Sequence, residues 1–328
     1  MSSHAAKTGS LILSPAPHVH RGETVSTVMY TFVIALLPAV AWSISIYGMH
    51  AARVIAMAVA CAMAFDWIIQ KAFRTTVTIE DGSAMFTGLL FALLLPPSVP
   101  WWIVVVGVGM TILVGRQLFG GMGGNPFSPV LVGWAILRVS WPDYLNFDLA
   151  MVHYDVPFSI HYPLALLRSG GAGAAVESFS NMDLLMGRQV GGMGAAPVGL
   201  VLLGGLFLIV RGVLSWRIPV AFIVGVAATA SIFYFQDSAV YACPGFHILT
   251  GNVMLGAFFL ATDFPSSPVG RLPMIIFGLG CGALTVLFRI WSVHPDGVVF
   301  AILLMNIGNP LIDKLRPKIP AARAGGAS

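Results

Sequence analysis

Two carboxylates fall within segments that are otherwise apolar, Asp66 in a run ending near residue 72 and Asp263 in Ala261-Thr-Asp263. An acid in hydrocarbon is a functional candidate by default, because its ionised form is costly there. Asp263 lies at a helix break, where it can bind an ion or cofactor or cap the next backbone turn. Asp66 sits near the end of its segment and reads as an interfacial group. The densest chemical signal is Gly120-Gly-Met-Gly-Gly124 followed by Asn125-Pro-Phe-Ser-Pro129. Glycine lets backbone approach a planar ligand or another helix. Asn125 and Ser128 are three residues apart, a spacing that one helical face could present. An asparagine amide both donates and accepts, which suits the polar edge of a heteroaromatic ring. Composition alone favours a tight loop here, since neither GxGxxG nor a Walker pattern is present. Cys61, Cys243 and Cys281 have no CxxC spacing, which argues against a self-contained zinc or iron–sulfur site. His153 and His161 lack metal-ligand spacing and read as interfacial. No metal site and no catalytic residue is assigned.

The elements that must position these residues are membrane helices. Of 328 residues, 57% are hydrophobic and 9% charged, against roughly 25% charged in soluble domains. A chain this poor in charge cannot cover a water-facing surface. Spans of about 20 apolar residues are predicted at 26–48, 52–72, 84–96, 100–119, 127–141, 196–211, 217–236, 251–263, 273–291 and 297–313. Trp101, Trp102, Trp141, Trp216 and Trp291 fall at span ends, as an interfacial aromatic belt does. With ten spans both termini share a side. Twelve of the 17 Lys and Arg residues then lie on that side, and Arg53, Arg138, Arg168, Arg188 and Arg289 on the other. The positive-inside rule makes the shared side cytoplasmic. Residues 1–24 read as a cytoplasmic tail with no cleavable leader, 25–141 as a first five-span unit, 142–195 as a periplasmic loop, 196–313 as a second five-span unit and 314–328 as a cytoplasmic tail. Within the loop, His161–Leu167 starts a short interfacial helix and Gly170–Ala175 reads as a linker.

The two units echo each other. Gly82-Ser-Ala-Met85 matches Gly251-Asn-Val-Met254, with Pro96 and Pro265 equally far downstream, and Gly124-Asn-Pro126 matches Gly308-Asn-Pro310. Five spans per unit invert the second relative to the first. The third and eighth spans hold about 13 apolar residues before proline interrupts them. Paired short, broken spans point to a central site in an inverted-repeat fold. The freed backbone groups must be satisfied by protein, water or a ligand. The fold class is therefore an all-α polytopic membrane protein of about ten transmembrane helices, in two inverted five-helix repeats with short broken helices.

Several segments resemble the D subunit of Rnf complexes and, more distantly, the B subunit of the sodium-translocating NADH:quinone reductase. They are Thr76–Ser83 with Thr87–Pro97, Phe119–Pro129, Ala261-Thr-Asp263 with Ser267-Pro268, and Phe277–Gly282 through Pro295-Asp-Gly297 and Leu303–Asn306 to Asn309–Asp313. The resemblance covers most of residues 25–318. It implies a ten-span flavoprotein subunit of a bacterial inner-membrane complex that passes electrons between ferredoxin and NAD, coupled to Na⁺ or H⁺ movement. The implied partners are sibling subunits of the A, B, C, E and G types and the lipid bilayer, with no nucleic acid. Relatives hold FMN on a threonine of a Ser-Gly-Ala-Thr-Pro-Leu-like motif, and a second flavin near an Asn-x-x-Asn segment. Here the first motif reads Ser159-Ile-His-Tyr-Pro-Leu164, with Tyr162 at the threonine position. A phenol lies a ring's length beyond a threonine hydroxyl, so covalent FMN is predicted absent; Ser159 is the nearby alternative acceptor. In the second motif Asn125 is kept and Ser128 replaces the second asparagine. Noncovalent flavin (riboflavin or FMN) at Gly124, Asn125, Ser128 and Asp263 is the expectation. Two other readings stay open: a transporter or channel of the same fold, and a structural subunit without its own flavin.

Overall fold

The computed structural model describes residues 24–74, 77–121, 123–147 and 161–315. Both tails beyond these limits, together with His153 and Ser159, lie outside the described residues. Every regular element among the described residues is helical. The first unit comprises α1 (Val25–Tyr47), α2 (Met49–Ala72), α3 (Ser83–Leu93), α4 (Trp101–Leu113) and α5 (Pro129–Ser140). Between the units lie α6 (Pro163–Ser178) and α7 (Asn181–Leu185). The second unit comprises α8 (Val198–Val210), α9 (Arg217–Gln236), α10 (Pro244–Leu249), α11 (Val253–Leu255), α12 (Arg271–Trp291) and α13 (Val298–Ile312). A π turn over Gly256–Leu260 continues α11.

All ten expected spans are helical within a few residues of their predicted limits. Five segments are long and apolar enough to cross a membrane: α1, α2, Trp101–Phe119, α9 and α12. The others are shorter, and pairing explains how they persist. The units pack alike, α2 on α4 and α4 on α5 in the first, α9 on α12 and α12 on α13 in the second. Between units, α1 packs on α8 and α5 on α13. First meets first and last meets last, as an internal pseudo-two-fold requires. Association in lipid depends on close packing at small residues. A Cβ on Gly225 of α9 would stand 2.6 Å from the Leu279 carbonyl, and one on Gly278 of α12 would stand 2.7 Å from that of Ile218. Only hydrogen side chains allow α9 and α12 to approach this closely.

The structure corrects three expectations. Gly170–Ala175 is not a linker but part of α6, which breaks only at Gly171 (φ 75°). Helices α7 and α10 have no counterpart among the expected elements. Gly308-Asn-Pro310 lies inside α13, whereas Gly124-Asn-Pro126 precedes α5; by position the latter corresponds to Pro295-Asp-Gly297. A three-residue match does not distinguish a helix entrance from a helix interior.

The two broken spans share a plan. At the start of α3, Asp81 Oδ1 accepts from Ser83 N at 2.8 Å and from Ser83 Oγ at 2.6 Å, and Arg116 Nη2 donates to Ser83 Oγ at 2.8 Å. Ahead of α11, Asp296 Oδ2 accepts from Asn252 N at 2.8 Å and Nδ2 at 2.7 Å, and Arg289 Nη2 lies 3.3 Å from Asp296 Oδ1. Each half-helix thus begins at a carboxylate, which favours its positive end, with an arginine balancing the charge. At the other end of α3, Leu93 O accepts from Gly194 N at 2.7 Å, Leu95 O from Met193 N at 3.1 Å and Leu94 O from Trp134 Nε1 at 3.3 Å. The backbone donors come from a buried strip, Val190–Ala196, leading into α8. The protein itself satisfies these freed carbonyls.

Candidate functional site

A cavity of about 400 Å³ opens among the ends of α1, α3, α4, α5 and the π turn. Those ends belong to one face of the bundle, the face that also holds the start of α1. The apolar wall is aromatic. Phe32 packs against Phe86 (centroids 5.2 Å apart), Phe259 (6.2 Å) and Phe264 (5.8 Å). Opposite it stand Ser83, Arg116, Asn125, Ser128 and Asp263. The π turn, closed by Ala261 N donating to Gly256 O at 2.8 Å, advances Phe259 and Thr262 into this wall. Such turns inside helices recur at functional sites.

Three of the four residues singled out in the sequence line this cavity: Asn125, Ser128 and Asp263. Asn125 and Ser128 do not meet it from one helical face, as their spacing suggests. Both precede α5; Ser128 is the residue before Pro129, the first of the helix. A turn orients Asn125, whose Nδ2 donates to Phe127 O at 2.8 Å. Its side chain also interacts with the Asp263 carboxyl. Gly124 sits behind the wall. A Cβ there would collide with the Phe119 carbonyl, so its glycine serves the turn, while Gly123 (φ 96°) forms the lining.

Asp263 is held by Ser266, whose Oγ donates to Asp263 Oδ2 at 3.0 Å. The turn it starts is fixed from α13, where Asn309 Nδ2 donates to Ser266 O at 3.0 Å. Asn306, oriented to satisfy both neighbours, donates to Ser266 O and accepts from Ser128 N, each at 3.3 Å. One amide buried in an apolar helix therefore ties the Asp263 turn to the start of α5 and sets the cavity's width.

Arg116 is the main residue that sequence reasoning missed. By sequence it is one more basic residue at a span end, yet it is 3% exposed. Its Nη2 lies 3.6 Å from Asp66 Oδ2 as well as bonding Ser83. Asp66 is fully buried rather than interfacial. It accepts from Gln117 Nε2 at 2.6 Å and Gln70 Nε2 at 3.0 Å. A signal exists, because an acid within a span calls for a partner and Arg116 is the cation ending the neighbouring span. Arg116 Nε is buried with no partner among the described residues. An unpartnered buried donor costs about 1–3 kcal/mol, and the same side chain helps line the cavity. The arrangement suits a planar molecule, with rings stacking the ligand's face and amide, hydroxyl, carboxyl and guanidinium groups meeting its edge.

The sequence agrees with the geometry. The profile of the NQR2, RnfD, RnfE family matches residues 12–320. The chain is 38% identical over 307 residues to the D subunit of the Na⁺-translocating ferredoxin:NAD⁺ oxidoreductase complex of Acetobacterium woodii, covering 93% of each chain. It is 35% identical over 321 residues to the D subunit of the proton-translocating ferredoxin:NAD⁺ oxidoreductase complex of Clostridium ljungdahlii, covering 96% of this chain and 97% of the relative. The D subunit of the ion-translocating oxidoreductase complex of Salmonella paratyphi A is 33% identical over 349 residues, with 95% and 99% covered. With the match running over residues 12–320, this polytopic membrane chain belongs to the NQR2, RnfD, RnfE family.

Proposed function

We propose that this chain is the D-type subunit of a bacterial inner-membrane complex. The complex couples electron transfer between ferredoxin and NAD to Na⁺ or H⁺ movement, and its other members are A-, B-, C-, E- and G-type subunits. Within it this chain holds a flavin, riboflavin or FMN, noncovalently in the aromatic-walled cavity. The observation that carries the reading is the convergence of Asn125 and Ser128 with the sequence-distant Asp263 and with Arg116 on one cavity of about 400 Å³. That volume is within the roughly 300–1,000 Å³ of small-molecule sites. A bound flavin supplies one- and two-electron redox chemistry. The protein's part is to stack Phe32 and its aromatic neighbours against one face of the ring, bring the polar groups of Asn125, Ser128, Asp263 and Arg116 to its edge, and exclude water. Relatives named for Na⁺ and for H⁺ leave the ion open.

Covalent FMN is absent on this reading, with Tyr162 at the threonine position. Tyr162 is 3% exposed and its hydroxyl is buried, so a modifying enzyme cannot reach it in the folded chain. The test is intact mass together with flavin released by acid from the purified complex. One flavin per chain is expected in the released fraction and no mass gain on the polypeptide, with Asn125→Leu lowering the released flavin at least several-fold. A chain heavier by one FMN would refute the noncovalent assignment, and unchanged flavin in Asn125→Leu would remove it from this cavity.

The cavity face is assigned to the cytoplasm. Lys71, Arg74, Arg211, Arg217, Arg271 and Lys314 cluster at that end of the bundle, and loop cations are retained inside. Single cysteines at Ser215 and Ser238, labelled by an impermeant maleimide on intact cells, should react only at 238. Labelling at 215 alone would invert the topology.

A further inference from the structure

At the end of the bundle away from the flavin cavity lies a second, smaller cavity of about 160 Å³. It is bounded by α6, the segment before α10, α10 itself and the end of α12. Two guanidinium groups border it, Arg168 at the rim and Arg289 within, together with His247 and Tyr241. Among the described residues no carboxylate lines it. Arg289 and His247 are more than nine-tenths buried, and each has a nitrogen without a partner among the described residues, Arg289 Nε and His247 Nδ1.

These groups are fixed, not mobile surface charges. Arg289 Nη1 donates to His247 O at 2.6 Å and Nη2 to Thr250 O at 2.8 Å, while Asp296 holds the same Nη2 at 3.3 Å. Arg168 Nη1 donates to Ser292 O at 2.6 Å. Burial, with the Arg289 guanidinium beside it, pushes the His247 imidazole down to about 3, so it stands neutral and can offer an N–H without adding charge.

We infer that this cavity is a binding site for a phosphate-type oxyanion. Arg289, Arg168, His247 and Tyr241 line one cavity and supply its hydrogen-bond donors, and no acid is among its described lining residues. Charge-assisted bonds from arginine to an oxyanion are the strong ones, and a phosphate offers several acceptor oxygens at once. The volume equals about five waters at roughly 30 Å³ each, enough for such a group and too small for a flavin ring system. The surroundings favour a phospholipid headgroup as its source. Phe235 at the end of α9 is 85% exposed, and Trp291 at the end of α12 is 70% exposed. Aromatic residues at span ends sit at headgroup level.

The test is native mass spectrometry of the full-length chain in detergent, delipidated and then given dioleoylphosphatidylglycerol or inorganic phosphate in separate arms. The comparison variants are Arg168→Leu, at the rim, and His247→Phe. Arg289 is left intact because it also braces the backbone. Wild type should bind at least one of the two probes, and Arg168→Leu should weaken that binding about fivefold or more. Retention of the lipid assigns the site to the leaflet, and binding of phosphate alone assigns it to a free oxyanion; both support an oxyanion site. Failure of wild type to bind either probe overturns the inference. So does binding by both variants as tight as wild type, with each variant's melting temperature showing that it is folded.

Discussion

Arg116→Leu is expected to cost about 3–5 kcal/mol of stability, the usual penalty for removing one partner of a buried ion pair, and, on the flavin reading proposed above, to lower the flavin released. Asp66 would stay buried, with only Gln70 and Gln117 to hold its charge. Ser83, at the start of α3, would lose the guanidinium that fixes it. The guanidinium that helps line the cavity would vanish with the rest of the side chain. A second substitution separates these effects. In Asp66→Asn with Arg116→Leu no buried charge remains unpaired, so most of the melting temperature should return. Flavin content should not, because the cavity still lacks its donor. Thermal melts in detergent, paired with flavin released by acid, distinguish the two. A single variant as stable as wild type and with full flavin would show that Arg116 is neither a structural brace nor a ligand.

Asp296→Ala should be comparably damaging at the opposite end. Its carboxylate accepts from Asn252 N and Nδ2 and pairs with Arg289. Loss of a helix cap alone costs about 0.5–2 kcal/mol. Here a buried guanidinium is stranded as well, so the loss should approach the roughly 3–5 kcal/mol of a broken buried pair. Asp296→Asn keeps an acceptor for the backbone and should fall between wild type and alanine. Hydrogen exchange should rise at Asn252–Gly256 in proportion. Exchange and melting both unchanged in Asp296→Ala would mean that α11 starts without its carboxylate.

The ten spans were legible because hydrocarbon selects one property, apolarity over a fixed length, and that property is local. The breaks at Pro96 and Pro265 were legible for a similar reason, as proline denies a helix a donor. Asn125, Ser128 and Asp263 stood out as polar groups in glycine-rich or apolar surroundings, and the fold brought them together. Arg116, Ser83 and Asn306 did not stand out. Their importance lies in partners dozens to well over a hundred residues away, and no local pattern records such a pairing. Val190–Ala196 is too short for a span and too rich in glycine for a helix, so it read as part of an external loop. Its burial follows from what it meets, the open end of α3. The glycines of α6 misled in the other direction, since tertiary packing overrode their weak helix propensity.

The strip between the two units has a mechanical consequence. Inverted repeats commonly work by one half rocking against the other about a fixed site. Here the connection between the halves is itself bolted into the middle. Gly194 and Met193 bond the end of α3, Ser43 of α1 donates to Met193 O at 2.7 Å, and Gln189 Nε2 donates to Leu249 O of the second unit at 2.9 Å. Any rotation of one half past the other must first break these bonds, made by the buried Ser43, Gln189 and Met193. The chain is therefore built as a stiff chassis, which keeps what it carries at set distances from its neighbours.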